Sequence, residues 1–145
     1  MRRQSVFVLF VGFLLCSASQ VLAAPGSAVT ALPSSQIHGP MMALQVLVET
    51  YAVDWGGVYP ENVSALKAAA LEDPAYWKEL VNPYTKASGK GKAYLDFSQF
   101  DAADETPGLV LYQVDSDHSS YTIRGTDQDG SLVQSQGVDY ILSNS

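Results

Sequence analysis

The chain has 145 residues, 47% of them apolar, which suits one small domain. Its formal net charge of −7 argues against nucleic acid and anionic membrane surfaces as partners, because both are gripped by basic patches. One cysteine, Cys16, leaves no basis for an intramolecular disulfide framework.

Residues Met1 to Ala23 read as a secretory signal peptide. Arg2 and Arg3 form a short basic end, Val6 to Leu15 an apolar run broken only by Gly12, and Val21-Leu22-Ala23 a cleavage pattern that makes Ala24 the new N-terminus. The apolar run is about ten residues, whereas a membrane span takes roughly 20. Cys16 follows Leu15, where lipoprotein processing wants a small residue, so it is expected to leave with the signal. The exported chain then has no thiol and no site for covalent haem. It keeps six basic residues against fifteen acidic ones, a net charge of −9. Export to the periplasm, and from there to the cell surface or medium, is the expected localisation.

Ala24 to Gln36 (APGSAVTALPSSQ) is a small-residue leader, expected to be flexible or extended. Residues 37 to 145 form the expected globular domain. Gly39-Pro40 predicts a helix start near Met41, with Pro40 where its missing N–H costs nothing. The helix runs to about Trp55. At 100° per residue, Met41, Leu44, Leu47, Val48, Tyr51, Ala52 and Trp55 gather on one broad core face. Gln45 and Glu49 flank it on one side, Thr50 and Asp54 on the other. Between those polar pairs runs a second, narrow apolar stripe of Met42, Val46 and Val53. One apolar face suffices to pack a domain, so the second is a candidate partner-binding surface; scattered surface apolar residues are the plain alternative.

Gly56-Gly57 permits a left-handed helix end, and Tyr59-Pro60 turns the chain away. Asn62 to Leu71 holds good helix formers, with Ser64 as an expected cap. Asp73-Pro74 predicts a short helical turn carrying Tyr76 and Trp77, which Asn82-Pro83-Tyr84 ends. Ser88 to Lys92 (SGKGK) reads as a flexible loop. From Ala93 the period shortens to two. Ala93–Phe97, Leu109–Val114, Tyr121–Arg124, Leu132–Val133 and Tyr140–Leu142 are the expected strands, with a tight hairpin at Asp129-Gly130. Helices followed by an antiparallel meander make an α+β domain, with an N-terminal amphipathic helix packed on a small antiparallel sheet.

Catalytic signals are sparse. A nucleophile–base pair must be oriented by a third group. His38 precedes the helix, and His118 sits in the turn Asp115-Ser116-Asp117-His118, read as solvated. Ser119 and Ser120 are its neighbours in a turn rather than a triad. Gly89-Lys90-Gly91-Lys92 lacks the long loop, Lys-Ser/Thr and helix of a phosphate site. The chain is therefore expected not to be an enzyme, with a secreted hydrolase as the remote alternative. The sharpest candidate cofactor is calcium. Asp127 and Asp129 alternate before the Gly130 turn, and Asp139 is placed to close on them from the next strand. A plain β-turn also favours Asp and Gly there.

The ordered pattern Leu44, Leu47, Tyr51, Asp54, Gly57, Tyr59-Pro60 and Leu66 resembles the globular region of type IV pilins and major pseudopilins. In those families the helix ends in a Tyr…Asp…Gly…Tyr-Pro segment and a short helix follows. Asn82-Pro83-Tyr84 resembles the Asp-Pro-Trp segment of their connecting loop. Tyr121 to Leu142 resembles their closing strands, with Gly125 to Gly130 at the acidic turn. The likeness covers roughly Ile37 to Ser143. Those families begin with a prepilin-peptidase site and a long apolar helix, where this chain has a signal peptide. The resemblance thus implies the globular chain of a split pilin, whose short apolar helical pilin chain is a separate polypeptide. Partners would be that chain and other copies in a filament, with no direct membrane insertion. Such filaments serve adhesion, type II secretion or extracellular electron transfer. A soluble periplasmic module that binds a small ligand or calcium is the alternative from another class.

Overall fold

The computed structural model describes residues 35–144; the expected signal peptide, Cys16 and most of the leader lie outside the described residues. The described part is an α+β domain with two helices and a four-stranded sheet. Among the described residues no helix is long and apolar enough to cross a membrane.

Helix α1 spans His38–Asp54, three residues earlier than its periodicity predicts. Its first intrahelical bond runs from the Met41 N–H to the Ile37 carbonyl, so Pro40 lies in the first turn, where no N–H has an intrahelical partner. The helix stops at Gly56 and Gly57, both at positive φ, and the Gly57 N–H returns to the Ala52 carbonyl at 2.8 Å. This bond satisfies a carbonyl that the helix itself leaves open. Met41, Leu44, Leu47, Val48, Tyr51 and Ala52 are buried as expected. Trp55 departs from the expected core face: it is half-exposed past the helix end and stacks on Tyr51 at 4.9 Å.

Helix α2 is Val63–Ala69, and its cap is Asn62 rather than Ser64. The Asn62 carboxamide accepts from the Ala65 N–H at 2.8 Å. Asn62 has the extended backbone that a cap requires, whereas Ser64 is already inside the helix. A 3₁₀ turn at Pro74–Tyr76 follows, capped by Asp73.

Strands β1 (Tyr94–Asp96), β2 (Val110–Val114), β3 (Tyr121–Gly125) and β6 (Leu142–Ser143) form the main sheet in the order β1-β2-β3-β6. The β2–β3 and β3–β6 pairs are antiparallel, with Tyr112 opposite Ile123 and Ile123 opposite Leu142. The β1–β2 pair is parallel, which corrects the simple meander. Parallel neighbours need a crossover of about a dozen residues, and the stretch from Phe97 to Leu109, with two 3₁₀ turns, supplies it. Leu132 makes only an isolated bridge to Thr126. Strands β4 (Gln134–Ser135) and β5 (Val138–Asp139) instead form a separate hairpin. Its turn residues Gln136 and Gly137 both have positive φ.

α1 lies on the face of the sheet that carries Val110, Tyr112, Tyr121 and Ile123. Polar bonds fix its rotation. Glu49 accepts from the Tyr121 hydroxyl at 2.6 Å and from the Tyr59 hydroxyl at 3.2 Å. Asp54 accepts from the Tyr76 hydroxyl at 2.8 Å. Gly125 permits close approach, since a Cβ there would strike Met41 and Ile37.

The SGKGK segment is not a free loop. Ser88 bridges Val81, Lys90 bridges Tyr94, and the Gly91 N–H donates to the Tyr94 carbonyl. Asn82 organises this region from a fully buried position. Its Nδ2 donates to the carbonyls of Lys92 and Pro107, each at 2.7 Å, and its Oδ1 accepts from the N–H groups of Tyr84 and Thr85. Replacing Asn82 by Ala strands these buried groups and should lower stability by roughly 3 kcal/mol, read as the urea midpoint at unchanged slope.

Burial raises the Tyr112 hydroxyl well above the ordinary tyrosine range, and burial followed by the Glu49 carboxylate does the same for Tyr121. A raised folded pKa gives stability that is complete below the unfolded value near 10 and is lost as pH climbs beyond it. Tyrosinate absorbance and circular dichroism should therefore change together, in one alkaline transition above about pH 10.

Candidate functional site

The Met42, Val46 and Val53 stripe lies on the side of α1 turned away from the sheet. These residues are 59%, 64% and 80% exposed. The polar residues on either side of the stripe are turned to the rest of the domain: Glu49 to Tyr121 and Tyr59, and Asp54 to Tyr76. Thr50, beside the stripe, bonds back to the Val46 carbonyl at 2.7 Å and so presents no outward hydroxyl proton. The three residues named from the sequence are thus exposed on one side of α1, and nothing in the described chain covers them.

The acidic loop lies elsewhere. Asp127, Asp129 and Asp139 line one open cavity of about 900 Å³, together with Glu105, Ser35 and Gln134. Asp127 accepts from the Tyr84 hydroxyl at 2.5 Å, from Ser35 Oγ at 3.2 Å and from the Gln128 N–H at 2.8 Å. Asp129 accepts from the Ser131 N–H and hydroxyl. Asp139 meets Gln134 Nε2 at 3.4 Å. The three carboxylates share a cavity, and the first two spend oxygens on their own surroundings. Among the described residues, no group of three or more His, Cys, Asp or Glu side chains is arranged to hold a metal ion. The Gly130 turn packs against the Glu105 backbone so closely that a Cβ would overlap it.

His118 is half-buried rather than simply solvated. It has positive φ, its Nδ1 donates to the Tyr59 carbonyl at 3.0 Å, and its own carbonyl accepts from the Tyr59 N–H at 3.0 Å. Tying the β2–β3 turn to the Tyr59-Pro60 corner is its visible role. Asp115 in the same turn accepts from Ser120 and Ser119, bonds that lower its pKa to about 2. His38 opens α1 and lies 4.5 Å from the Tyr140 ring.

Two features go unread in the sequence: the hub role of Asn82, which stands there only as part of the Asn82-Pro83-Tyr84 stop and loop motif, and Arg124, whose guanidinium lies over Phe97 on the outer face of the sheet. No protein-family model, curated protein or solved structure matches the chain.

The Tyr84 hydroxyl, first among its hydrogen bonds, holds the Asp127 carboxyl below its ordinary value. A depressed folded pKa contributes stability above the unfolded value, lost as pH falls through the folded one. Asp127→Ala should cost about 2 kcal/mol near neutral pH, and the same in chelator as in calcium. A cost seen only in calcium would assign the carboxylate to the metal instead. Melting curves in the two buffers measure this.

Proposed function

We propose that the chain is a non-enzymatic structural subunit, the globular chain of a type IV pilus or pseudopilus-like filament. It pairs non-covalently with a short apolar helical chain that supplies the filament core. The observation that carries this reading is the second apolar face of α1. A helix already packed along one side gains nothing from a bare strip of Met42, Val46 and Val53, and an apolar helix laid along that strip removes it from water. The ordered Tyr51, Asp54, Gly57 and Tyr59-Pro60 pattern adds the resemblance to pilin globular regions. The α+β arrangement, with the N-terminal helix on the sheet, agrees with it at the level of fold class. In this reading the acidic surface coats the filament and sets its contacts, and export places the subunit in the periplasm and at the cell surface.

The large acidic cavity favours a second reading, a periplasmic module that takes a small cationic ligand or calcium beside Asp127, Asp129 and Asp139. It predicts a monomer with no filament partner.

A pull-down of the exported chain from detergent-solubilised envelope and sheared surface material separates the two. A small, very apolar polypeptide at constant ratio supports the split filament. A lone monomer in every fraction overturns it. Val46→Asp should leave the melting temperature within a few degrees, because Val46 is exposed, and should abolish capture. Unchanged capture by that folded variant would remove the stripe from the joint.

A further inference from the structure

We propose that the outer face of the main sheet carries a carboxylate-binding site built on Arg124. This does not depend on the filament reading. Along β3, Tyr121, Ile123 and Gly125 are buried on the helix side, so Thr122 and Arg124 alternate to the other side. The guanidinium is held there. Its centre lies 4.4 Å from the Phe97 ring, and Nη1 donates to Gln113 Oε1 at 3.2 Å and Thr122 Oγ1 at 3.1 Å.

One edge of the guanidinium stays unused. Nε is shut away from water with no hydrogen-bond partner, and the guanidinium's hydrogen bonds to Gln113 and Thr122 both leave from Nη1. A shielded N–H of a charged group without an acceptor is costly, and it calls for an explanation. The chain has fifteen carboxylates, and its lysines find some of them: Lys67 pairs with Glu79 and Lys90 with Asp96. Arg124 makes no such pair among the described residues. Asp115 lines the same small cavity but is turned to Ser119 and Ser120. That cavity, about 160 Å³, is also lined by Gln113 and Thr122. Gln113 gives its oxygen to Arg124, which leaves its amide N–H groups as donors.

The Nε–Nη2 edge is the fork that meets a carboxylate with two parallel bonds. A carboxylate arriving from the cavity binds Nη2 and, after a small rotation of the guanidinium, Nε, while Gln113 Nε2 donates a third bond. The carboxylate belongs either to a small free acid or to an acidic side chain of a second copy.

The test is the Arg124 Nε–H resonance of the ¹⁵N-labelled exported protein. It is assigned by its loss in Arg124→Lys, with the backbone amide spectrum reporting that the variant folds. Sodium acetate should displace the resonance along a saturable curve, and sodium chloride at matched ionic strength should not. Gln113→Ala, an exposed change, should weaken half-saturation about tenfold. It carries the test alone if Arg124→Lys does not fold. Without acetate, a resonance that moves with protein concentration assigns the occupant to a second copy; one that stays fixed assigns it to a free acid. Equal, unsaturable responses to acetate and chloride, with no dependence on protein concentration, would overturn the site and leave Arg124 as packing for Phe97.

Discussion

The rotation of α1 about its own axis is the constraint on which the rest depends, and Glu49 sets it. This carboxylate takes two tyrosine hydroxyls, from Tyr121 in the sheet and Tyr59 at the chain corner. Apolar packing alone tolerates some rolling of a helix, because it has no direction. Charge-assisted hydrogen bonds do not, because their donors are fixed in place. With Gln45 also donating to the Tyr121 hydroxyl, the wide apolar face meets the sheet and the narrow one meets solvent. The bare strip is thus a product of how the core is locked.

Asn82 plays the corresponding part on the other side of the domain. One buried carboxamide joins the loop after the 3₁₀ turn, the SGKGK segment and the entrance to β2. Gly108 belongs to the same device, because a Cβ there would overlap the Asn82 side chain. Segments that look unstructured by composition are ordered here by four bonds to one residue. Buried amides with all partners in place specify geometry strongly, since every alternative leaves an unpaired group.

What the sequence revealed follows from the range of each signal. The core face of α1 is periodic over several turns, and six of its seven expected members are buried; Trp55 fails because the helix ends before it. The exposure of Met42, Val46 and Val53 follows from the same periodicity. Strands β2 and β3 stand near their expected bounds. Strand β1 lies within its expected bounds, but its parallel pairing was illegible, because direction of pairing depends on the path of the crossover, not on the strand's own residues. The β4–β5 hairpin was missed because Gln136 takes positive φ without being the Asn or Asp that marks such turns. At the acidic loop, spacing predicted three carboxylates near one another. It did not predict that Tyr84, Ser35 and Ser131 would already be bonded to two of them. Arg124 carried no motif, since its setting comes from Gln113 and Phe97 on other elements.

The pairing of α1 with β3 and β6 also bears on the order in which the chain can fold. The first helix packs against the last strand, and β6 joins the sheet only through Thr122 and Ile123. A chain that emerges N-terminus first presents α1 long before the surface that covers it exists. Loop closure over such a separation is slow compared with local helix formation. During that interval both apolar faces of α1 are open, and the wide one is the larger hazard for misassociation. The same delay keeps the core unfinished until nearly the whole chain is available, because β6 is the last element to join α1 and β3.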